Sequence, residues 1–119
     1  MKRVILSARD ARELVEFDGK FFDPVQMIYI KRGLKDGVDV SLFANPKFNE
    51  TKMATIEGAL ADGYDMSQFD LERLSLGQLD EIIDALQRNV PIDKIKAYAK
   101  PGISWKKMRQ ALYYDEIDN

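Results

Sequence analysis

The stretch MIYIKRGLKDGVDVSLFA at residues 27–44 recurs as MATIEGALADGYDMSQFD at residues 53–70, at an offset of 26 residues. Eight of the 18 aligned positions are identical, whereas unrelated stretches would share about one at ordinary residue frequencies. A fixed period of this length is typical of a helical repeat, in which each unit buries its apolar face against its neighbours. The identical residues in the first copy are Met27, Ile30, Leu34, Asp36, Gly37, Asp39, Ser41 and Phe43.

Each copy begins with helix-capping residues and ends at a glycine. The segment Asp23-Pro24-Val25-Gln26 combines an N-cap, a proline at the first helical position and the second half of a capping box. Asn49 takes the N-cap position of the second copy. Gly37 and Gly63 are predicted to end the two helices with positive φ, because a left-handed residue is least strained without a Cβ.

Two more diverged units follow the clear copies. Ser75 and Gln78 form another capping box, and the apolar residues after them continue the 26-residue register. In the fourth unit, the loop 99–103 matches the loop 44–48, and Ser104 is expected to cap a helix that runs to about residue 115 with Met108 and Leu112 inward. The residues predicted to be buried at equivalent positions of the first three helices are Leu34, Leu60 and Leu86.

These signals predict an all-α fold. It is an array of short helix-turn-helix repeats, a compact α-solenoid-like bundle with about five main helices plus short helical turns. Strand signals are nearly absent; residues 3–6 could be extended, but a lone strand has nothing to pair with. The predicted single domain spans 1–119, with an N-terminal helix at about 8–17, ended by Asp18-Gly19, and repeat units at about 22–45, 48–71, 74–98 and 103–116.

Histidine and cysteine are both absent from the 119 residues. Their absence removes the commonest general base, the commonest zinc ligand and thiolate chemistry. There is also no glycine-rich phosphate loop, nucleophile elbow or metal-ligand spacing. We therefore expect a protein that is not an enzyme and has no cofactor. No apolar run approaches the ~20 residues of a membrane span, so a cytoplasmic location without membrane contact is expected.

Charge is distributed unevenly along the chain, although the net charge is −2. Residues 36–85 carry 11 carboxylates against 3 basic side chains, and residues 86–110 carry 7 basic side chains against Asp93 alone. Such asymmetry can steer a macromolecular partner. The candidate basic face consists of Lys94, Lys96, Lys100, Lys106, Lys107 and Arg109. The candidate acidic face consists of Glu57, Asp62, Asp70, Glu72, Asp80 and Asp84.

Three functions are compatible with these faces. The first is binding of another protein. The second is a nucleic-acid-binding accessory role through residues 88–109, where lysines alternate with Tyr98 and Trp105. The spacing of these two aromatic residues with Ile92 and Ile95 is equally compatible with packing in the core, with the lysines facing outward. The third is inhibition of a host nucleic-acid enzyme by a small phage or mobile-element protein, with the acidic residues of 36–85 mimicking phosphates.

The sequence Asp-Gly-x-Asp-x-Ser occurs at residues 36–41 and again at 62–67. A calcium loop of the EF-hand kind needs acidic residues at alternating positions before its glycine and a bidentate glutamate near its end. Here the glycine precedes the second aspartate, so these segments predict helix ends and caps without a metal. We expect Asp39 or Ser41 to cap the first short turn and Ser67 the second.

The unit Q-M-x-x-I-x-x-G-L-x-x-G-x-D-V-S-x-[FY]-A-N-P-x-F stands here as Gln26–Phe48 and, less fully, at Lys52–Phe69. It is similar to a short helical repeat of uncharacterised proteins of Gram-positive bacteria and their mobile elements, phages included. The third and fourth units depart from it by losing the glycine and the Asp-x-Ser turn. The resemblance implies a helical-repeat fold and brings no catalytic residue with it.

Overall fold

The computed structural model describes residues 13–114. The chain divides into two compact units, Met1–Ala61 and Asp62–Asn119. The described residues are mostly helical, with one two-stranded antiparallel sheet. Within this part of the chain, no helix has the length and apolar character needed to cross a membrane.

The described part of the first unit begins with a β-hairpin, which the sequence patterns did not predict. Strand β1 (Val15–Phe17) pairs with strand β2 (Lys20–Phe22). Asp18 and Gly19 form the turn with φ values of 51° and 77°. Two consecutive left-handed residues of the type Asp-Gly suit the right-handed twist of a hairpin. The all-α prediction is therefore wrong for this segment. The helix predicted over 8–17 is also wrong at residues 15–17, which form strand β1. Residues 8–12 and the possible extended segment 3–6 lie outside the described residues.

Helix α1 (Pro24–Asp36) begins and ends as predicted. The Asp23 carboxylate accepts from the Gln26 backbone N–H at 2.8 Å, and the Gln26 side chain accepts from the Asp23 N–H at 2.9 Å, completing the capping box. Gly37 follows with φ 74°. A first 3-10 turn, Val40–Leu42, leads to α2 (Glu50–Ala61), and Asn49 caps α2 by accepting from the Lys52 N–H at 2.8 Å.

The apolar stripe of α1 differs from the prediction at its third residue. Met27 and Ile30 are buried, but Leu34 is 53% exposed, so its predicted burial is wrong. Gly33 is buried in its place. A Cβ on Gly33 would lie 2.6 Å from Cζ of Phe43, which is fully buried against this bare backbone. Close approach of an aromatic ring thus selects the glycine for the inner face and leaves the leucine outside.

The same shift by one residue occurs in the next two helices. Ala59 and Ala85 are buried, whereas Leu60 and Leu86 are only half-buried. The buried positions that recur every 26 residues are therefore Met27, Met53 and Leu79, then Ile30, Ile56 and Ile82, then Gly33, Ala59 and Ala85.

The second unit contains a second 3-10 turn (Met66–Gln68), α3 (Leu76–Gln87), α4 (Ile92–Tyr98) and α5 (Trp105–Arg109), which continues as a π-helical turn over Gln110–Tyr114. Ser75 and Gln78 form the predicted capping box. Gly63 has φ 93°, confirming the prediction, and Asn89 after α3 has φ 62°. Ser104 caps α5, and Met108 and Leu112 are buried, also as predicted.

One glutamine in each unit joins a helix start to a distant loop. In the first unit, the Gln26 side-chain amide donates to the carbonyl oxygens of Pro46 and Phe48 at 3.1 and 3.0 Å. In the second, the Gln78 amide donates to the carbonyl oxygens of residues 100, 101 and 103 at 3.1, 3.2 and 2.7 Å. The two loops matched in the sequence, 44–48 and 99–103, are thus held by equivalent glutamines. These hydrogen bonds satisfy loop carbonyls that the helices cannot pair.

Candidate functional site

The two Asp-Gly-x-Asp-x-Ser segments act as caps of the 3-10 turns. Asp39 accepts from the backbone N–H and the hydroxyl of Ser41 at 3.1 and 2.6 Å. Asp65 accepts from the N–H and hydroxyl of Ser67 and from the Gln68 amide. The N-cap of the second turn is therefore Asp65, and the prediction of Ser67 is wrong, because the Ser67 N–H and hydroxyl donate hydrogen bonds to Asp65. The ionised carboxylate of an aspartate is a stronger acceptor than a serine hydroxyl.

The hydrogen bonds from Ser67 and Gln68 lower the pKa of Asp65, with the Ser67 hydroxyl as the largest cause. The carboxylate is thus held ionised by its capping role. Within residues 13–114, no three Asp, Glu, His or Cys side chains come together in a way that could hold a metal ion.

The predicted acidic residues do not share one environment. Glu57 is only 4% exposed, so its predicted place on a solvated face is wrong; it belongs to the buried side of α2. Asp70 and Asp84 are half-buried and pair with Arg73 and Arg88 at 2.6 and 2.9 Å. The exposed members of the set are Asp62, Glu72 and Asp80.

Asp80 lies in the first half of α3, next to the buried Glu81. Partial desolvation of its carboxyl raises the pKa of Asp80, although the residue as a whole is exposed, and the negative charge of Glu81 raises the pKa further. Both effects disfavour the charged form.

The predicted basic residues all belong to the second unit. Lys94 and Lys96 lie on α4, Lys100 lies in the loop that Gln78 holds, and the remaining three lie on α5. The Lys96 ammonium donates to the Gln68 side chain at 3.3 Å. Lys94 is half-buried, and the exposed members are Lys96, Lys100, Lys106, Lys107 and Arg109.

Trp105 stands among these basic residues at the start of α5. Trp105 is 39% exposed and Ile92 is 37% exposed, so both side chains are more exposed than a packing role predicts. Ile95, by contrast, is fully buried. A Cβ on Gly77 would lie 3.1 Å from Trp105 Cδ1, so the indole rests on the bare first turn of α3. The Lys106 ammonium and the Arg109 guanidinium lie over the indole ring, 5.7 and 5.2 Å from its centroid.

Arg109 is anchored by a buried carboxylate that the sequence analysis did not single out. Its Nη2 and Nε atoms donate to the two oxygens of Glu81 at 2.8 and 3.2 Å. Glu81 is 5% exposed. The hydrogen bonds and the charge of Glu81 raise the pKa of Arg109. This bidentate pair fixes the guanidinium against Trp105, and it also neutralises most of its charge.

A cleft of about 260 Å³ lies beside this pair, lined by Asp84, Arg109, Tyr113 and Tyr114. The π-helical turn presents the two tyrosines, whose rings meet edge to face with centroids 5.1 Å apart. Arg88 lies over the Tyr113 ring at 4.7 Å and donates to the Leu112 carbonyl oxygen at 2.7 Å. π-Helical turns are rare in proteins as a whole, but those that occur are often found at functional sites. A straight-helix prediction for this segment gave no sign of this cleft.

A second cleft, of about 300 Å³, lies in the first unit. Its walls include Leu14, Phe21 and Phe48, and Lys47 lies at its edge. Leu14 and Phe21 are about half exposed, at 50% and 56%. No sequence pattern indicated this cleft, because the patterns did not predict the hairpin, whose second strand carries Phe21.

Comparisons of this chain with protein-family models, with curated proteins and with solved structures gave no match.

Proposed function

We propose that this chain is a non-enzymatic helical-repeat protein that binds another protein through the second unit. The binding site is the α5 surface, which consists of Trp105, Lys106, Lys107, Arg109 and Tyr114. Trp, Tyr and Arg are the residues most enriched among those that dominate the energy of protein interfaces. Tyr114 is 48% exposed, and all five side chains belong to one short segment of the chain.

The observation that carries the proposal is the environment of Trp105. The indole is seated on Gly77 and lies under two cations, yet 39% of the residue is exposed. An aromatic side chain held in this way loses little conformational freedom when a partner covers it. Burying the rest of its apolar area would then favour binding through the hydrophobic effect.

The charged groups nearest the cleft support binding over catalysis. Asp84 pairs with Arg88, and Glu81 anchors Arg109. Each of these carboxylates therefore has a structural partner. A general acid or base would need a carboxyl group with a pKa tuned to the reaction and placed to reach a substrate.

We also propose that the units at 22–45, 48–71, 74–98 and 103–116 stack as repeats in a compact α-solenoid-like array. The support is local and recurs every 26 residues: N-caps at Asp23, Asn49 and Ser75, and left-handed residues at Gly37, Gly63 and Asn89. The resemblance to a repeat of Gram-positive bacteria and their mobile elements belongs to this proposal, as does the cytoplasmic location expected from the composition.

The two rival functions have less support. Nucleic-acid binding through 88–109 has exposed lysines in its favour, but Lys106 and Arg109 already lie over the Trp105 ring on which a base would stack. A phosphate-mimicking acidic face over 36–85 cannot include Glu57, because that side chain is buried. Asp70 and Asp84 of this face already form ion pairs with arginines.

The test is affinity capture from a nuclease-treated host lysate with matched variants. The double variant Trp105→Ala/Tyr114→Ala removes both exposed aromatics of the α5 surface. Phe21→Ala is the control, because it removes an aromatic side chain of similar exposure from the first unit. We expect one protein to be retained by the unaltered chain and by Phe21→Ala, and to be lost from the double variant. Equal capture by all three chains would contradict the proposal.

A further inference from the structure

We infer that the α5 surface, together with Lys100 of the preceding loop, recognises an acidic segment of its partner. The partner's carboxylates contact Lys100, Lys106 and Lys107, and an apolar side chain of the partner covers Trp105. The inference rests on the proposed function and adds the chemistry of the partner. The inference follows from a difference between the cations: Arg109 is paired with the Glu81 carboxylate, and the three lysines have no carboxylate partner among the described residues.

Arg109 contributes little net charge to the surface. Two of its N–H groups donate to Glu81, and Asp84 lies in the same cleft. Because Glu81 is buried and paired, the guanidinium is held in place and acts as a platform for the indole. The anion-binding capacity of the surface therefore resides elsewhere.

Three lysines supply that capacity. Lys106 and Lys107 follow Trp105 directly on α5 and are exposed. Lys100 is brought to the start of this segment by the Ile103 N–H, which donates to its carbonyl oxygen at 2.9 Å, and by the Gln78 amide. Among the described residues, none of these lysines forms an ion pair with a carboxylate. Lys106 and Lys107 thus place positive charge next to Trp105 in the chain, and no carboxylate within residues 13–114 forms an ion pair with either lysine.

The surroundings of the indole favour a protein partner over a nucleic acid. A single-stranded nucleic acid would stack its bases on an open aromatic face. Here Lys106 and Arg109 lie over the ring, and its Cδ1 edge rests on Gly77. An apolar side chain needs less of the ring than a stacked base does, and 39% of Trp105 remains exposed for such a contact. Carboxylates beside it meet the lysines as a charged rim around a buried anchor.

The experiment uses the fluorescence of Trp105, which is the single tryptophan of the chain. The probes are a synthetic polyglutamate peptide with one central leucine, the same peptide with lysines, and an oligothymidylate of equal charge. Isothermal titration calorimetry gives an independent Kd. Lys106→Glu/Lys107→Glu tests the surface, and Lys31→Glu/Lys35→Glu on α1 is the matched control, because it changes two exposed lysines of the first unit by the same charge.

We expect the glutamate peptide to shift the Trp105 emission and to bind the unaltered chain and the Lys31/Lys35 control with the same Kd. The Lys106/Lys107 reversal should weaken its binding by about tenfold, because exposed charge pairs are individually weak and reversal turns attraction into repulsion. The lysine peptide should not bind. Circular dichroism melting checks that both variants are folded.

Two results would overturn the inference. One is an equal loss of binding in both double reversals, which would indicate a general effect of net charge. The other is tighter binding of the oligothymidylate than of the glutamate peptide at the same salt concentration, which would assign the surface to nucleic acid. If the peptide fails while protein capture still depends on Trp105 and Tyr114, the partner chemistry is wrong and the protein-binding proposal stands. If capture is also independent of these residues, both are wrong.

Discussion

The side-chain amide of Gln78 donates to the carbonyl oxygen of Ile103 at 2.7 Å, across 25 residues of chain. The same side chain completes the capping box of α3 through the Ser75 N–H at 2.7 Å. One residue therefore both starts a helix and fixes the loop before α5. Since that loop leads directly into Trp105, the position of the proposed binding surface depends on this amide.

Gln78→Ala should destabilise the protein by about 1–3 kcal/mol, because it leaves loop carbonyl oxygens without a donor. Chemical denaturation measures the free energy of unfolding. Gln87→Ala, at an exposed position of the same helix, is the control and should change it by less than about 0.5 kcal/mol. Similar losses for both variants would show that the amide contacts contribute nothing specific.

Gly37→Ala should destabilise by about 1 kcal/mol or more, because its φ of 74° strains a residue that carries a Cβ. Gly58 offers the opposite case within α2, since an added Cβ meets nothing within 4 Å there. Gly58→Ala should stabilise by about 0.5–1 kcal/mol through helix propensity. Thermal and chemical unfolding of the two variants should therefore move in opposite directions, and a shift in the same direction would contradict this assignment.

Ile56→Ala should cost about 2–5 kcal/mol, because Ile56 is fully buried in the first unit. Leu34→Ala should cost less than about 0.5 kcal/mol, since the side chain is half exposed. The comparison tests whether Gly33 or Leu34 faces inward on α1. A loss at Leu34 as large as that at Ile56 would restore the original prediction from the 26-residue spacing.

Asp65→Asn should change how stability depends on pH. The lowered pKa of Asp65 means that its carboxylate stabilises the folded state above the ordinary carboxyl pKa. That contribution should disappear as pH falls below about 4. The difference in melting temperature between the unaltered chain and Asp65→Asn should therefore be present at neutral pH and vanish in acid. Asp62→Asn removes the same charge at an exposed neighbour; an identical pH profile for it would rule out the capping effect.

Calcium at millimolar concentration should leave the melting temperature unchanged. Asp39 and Asp65 already accept hydrogen bonds at the 3-10 turns, so their oxygens are partly withdrawn from coordination. Differential scanning calorimetry with calcium or with a chelator measures the effect. A rise that is abolished in Asp39→Asn/Asp65→Asn would make these loops a binding site.

The local features of the helices were predictable from the sequence because their partners lie a few residues away. The capping box at Asp23 and Gln26 and the left-handed residues at Gly37 and Gly63 are of this kind. The hairpin at Asp18-Gly19 is equally local, but a helix C-terminus and a hairpin turn use the same two residues. Pairing of Val15 with Phe22 decides in favour of the hairpin.

The candidate site was predictable only in part. The charge of the segment 88–109 and its aromatic residues are visible in the sequence. The anchoring of Arg109 by Glu81 joins residues 28 apart, and Glu81 looks like any other charged residue near a helix start. The contact of Trp105 with Gly77 has no sequence signal either, because a glycine in a first turn has several ordinary explanations.

The sequence by itself determined where most of the helices begin and end, because caps, glycines and prolines act on the backbone within one turn. Tertiary structure alone decided which residue lies at the margin of the inward face of the first three helices. Helical periodicity selects a face only to within about one residue, so the choice between Gly33 and Leu34 depended on the distant Phe43 ring. Tertiary structure also decided that Glu57 and Glu81 are buried and that Trp105 is 39% exposed. Burial depends on what packs against a residue and not on the residue type alone.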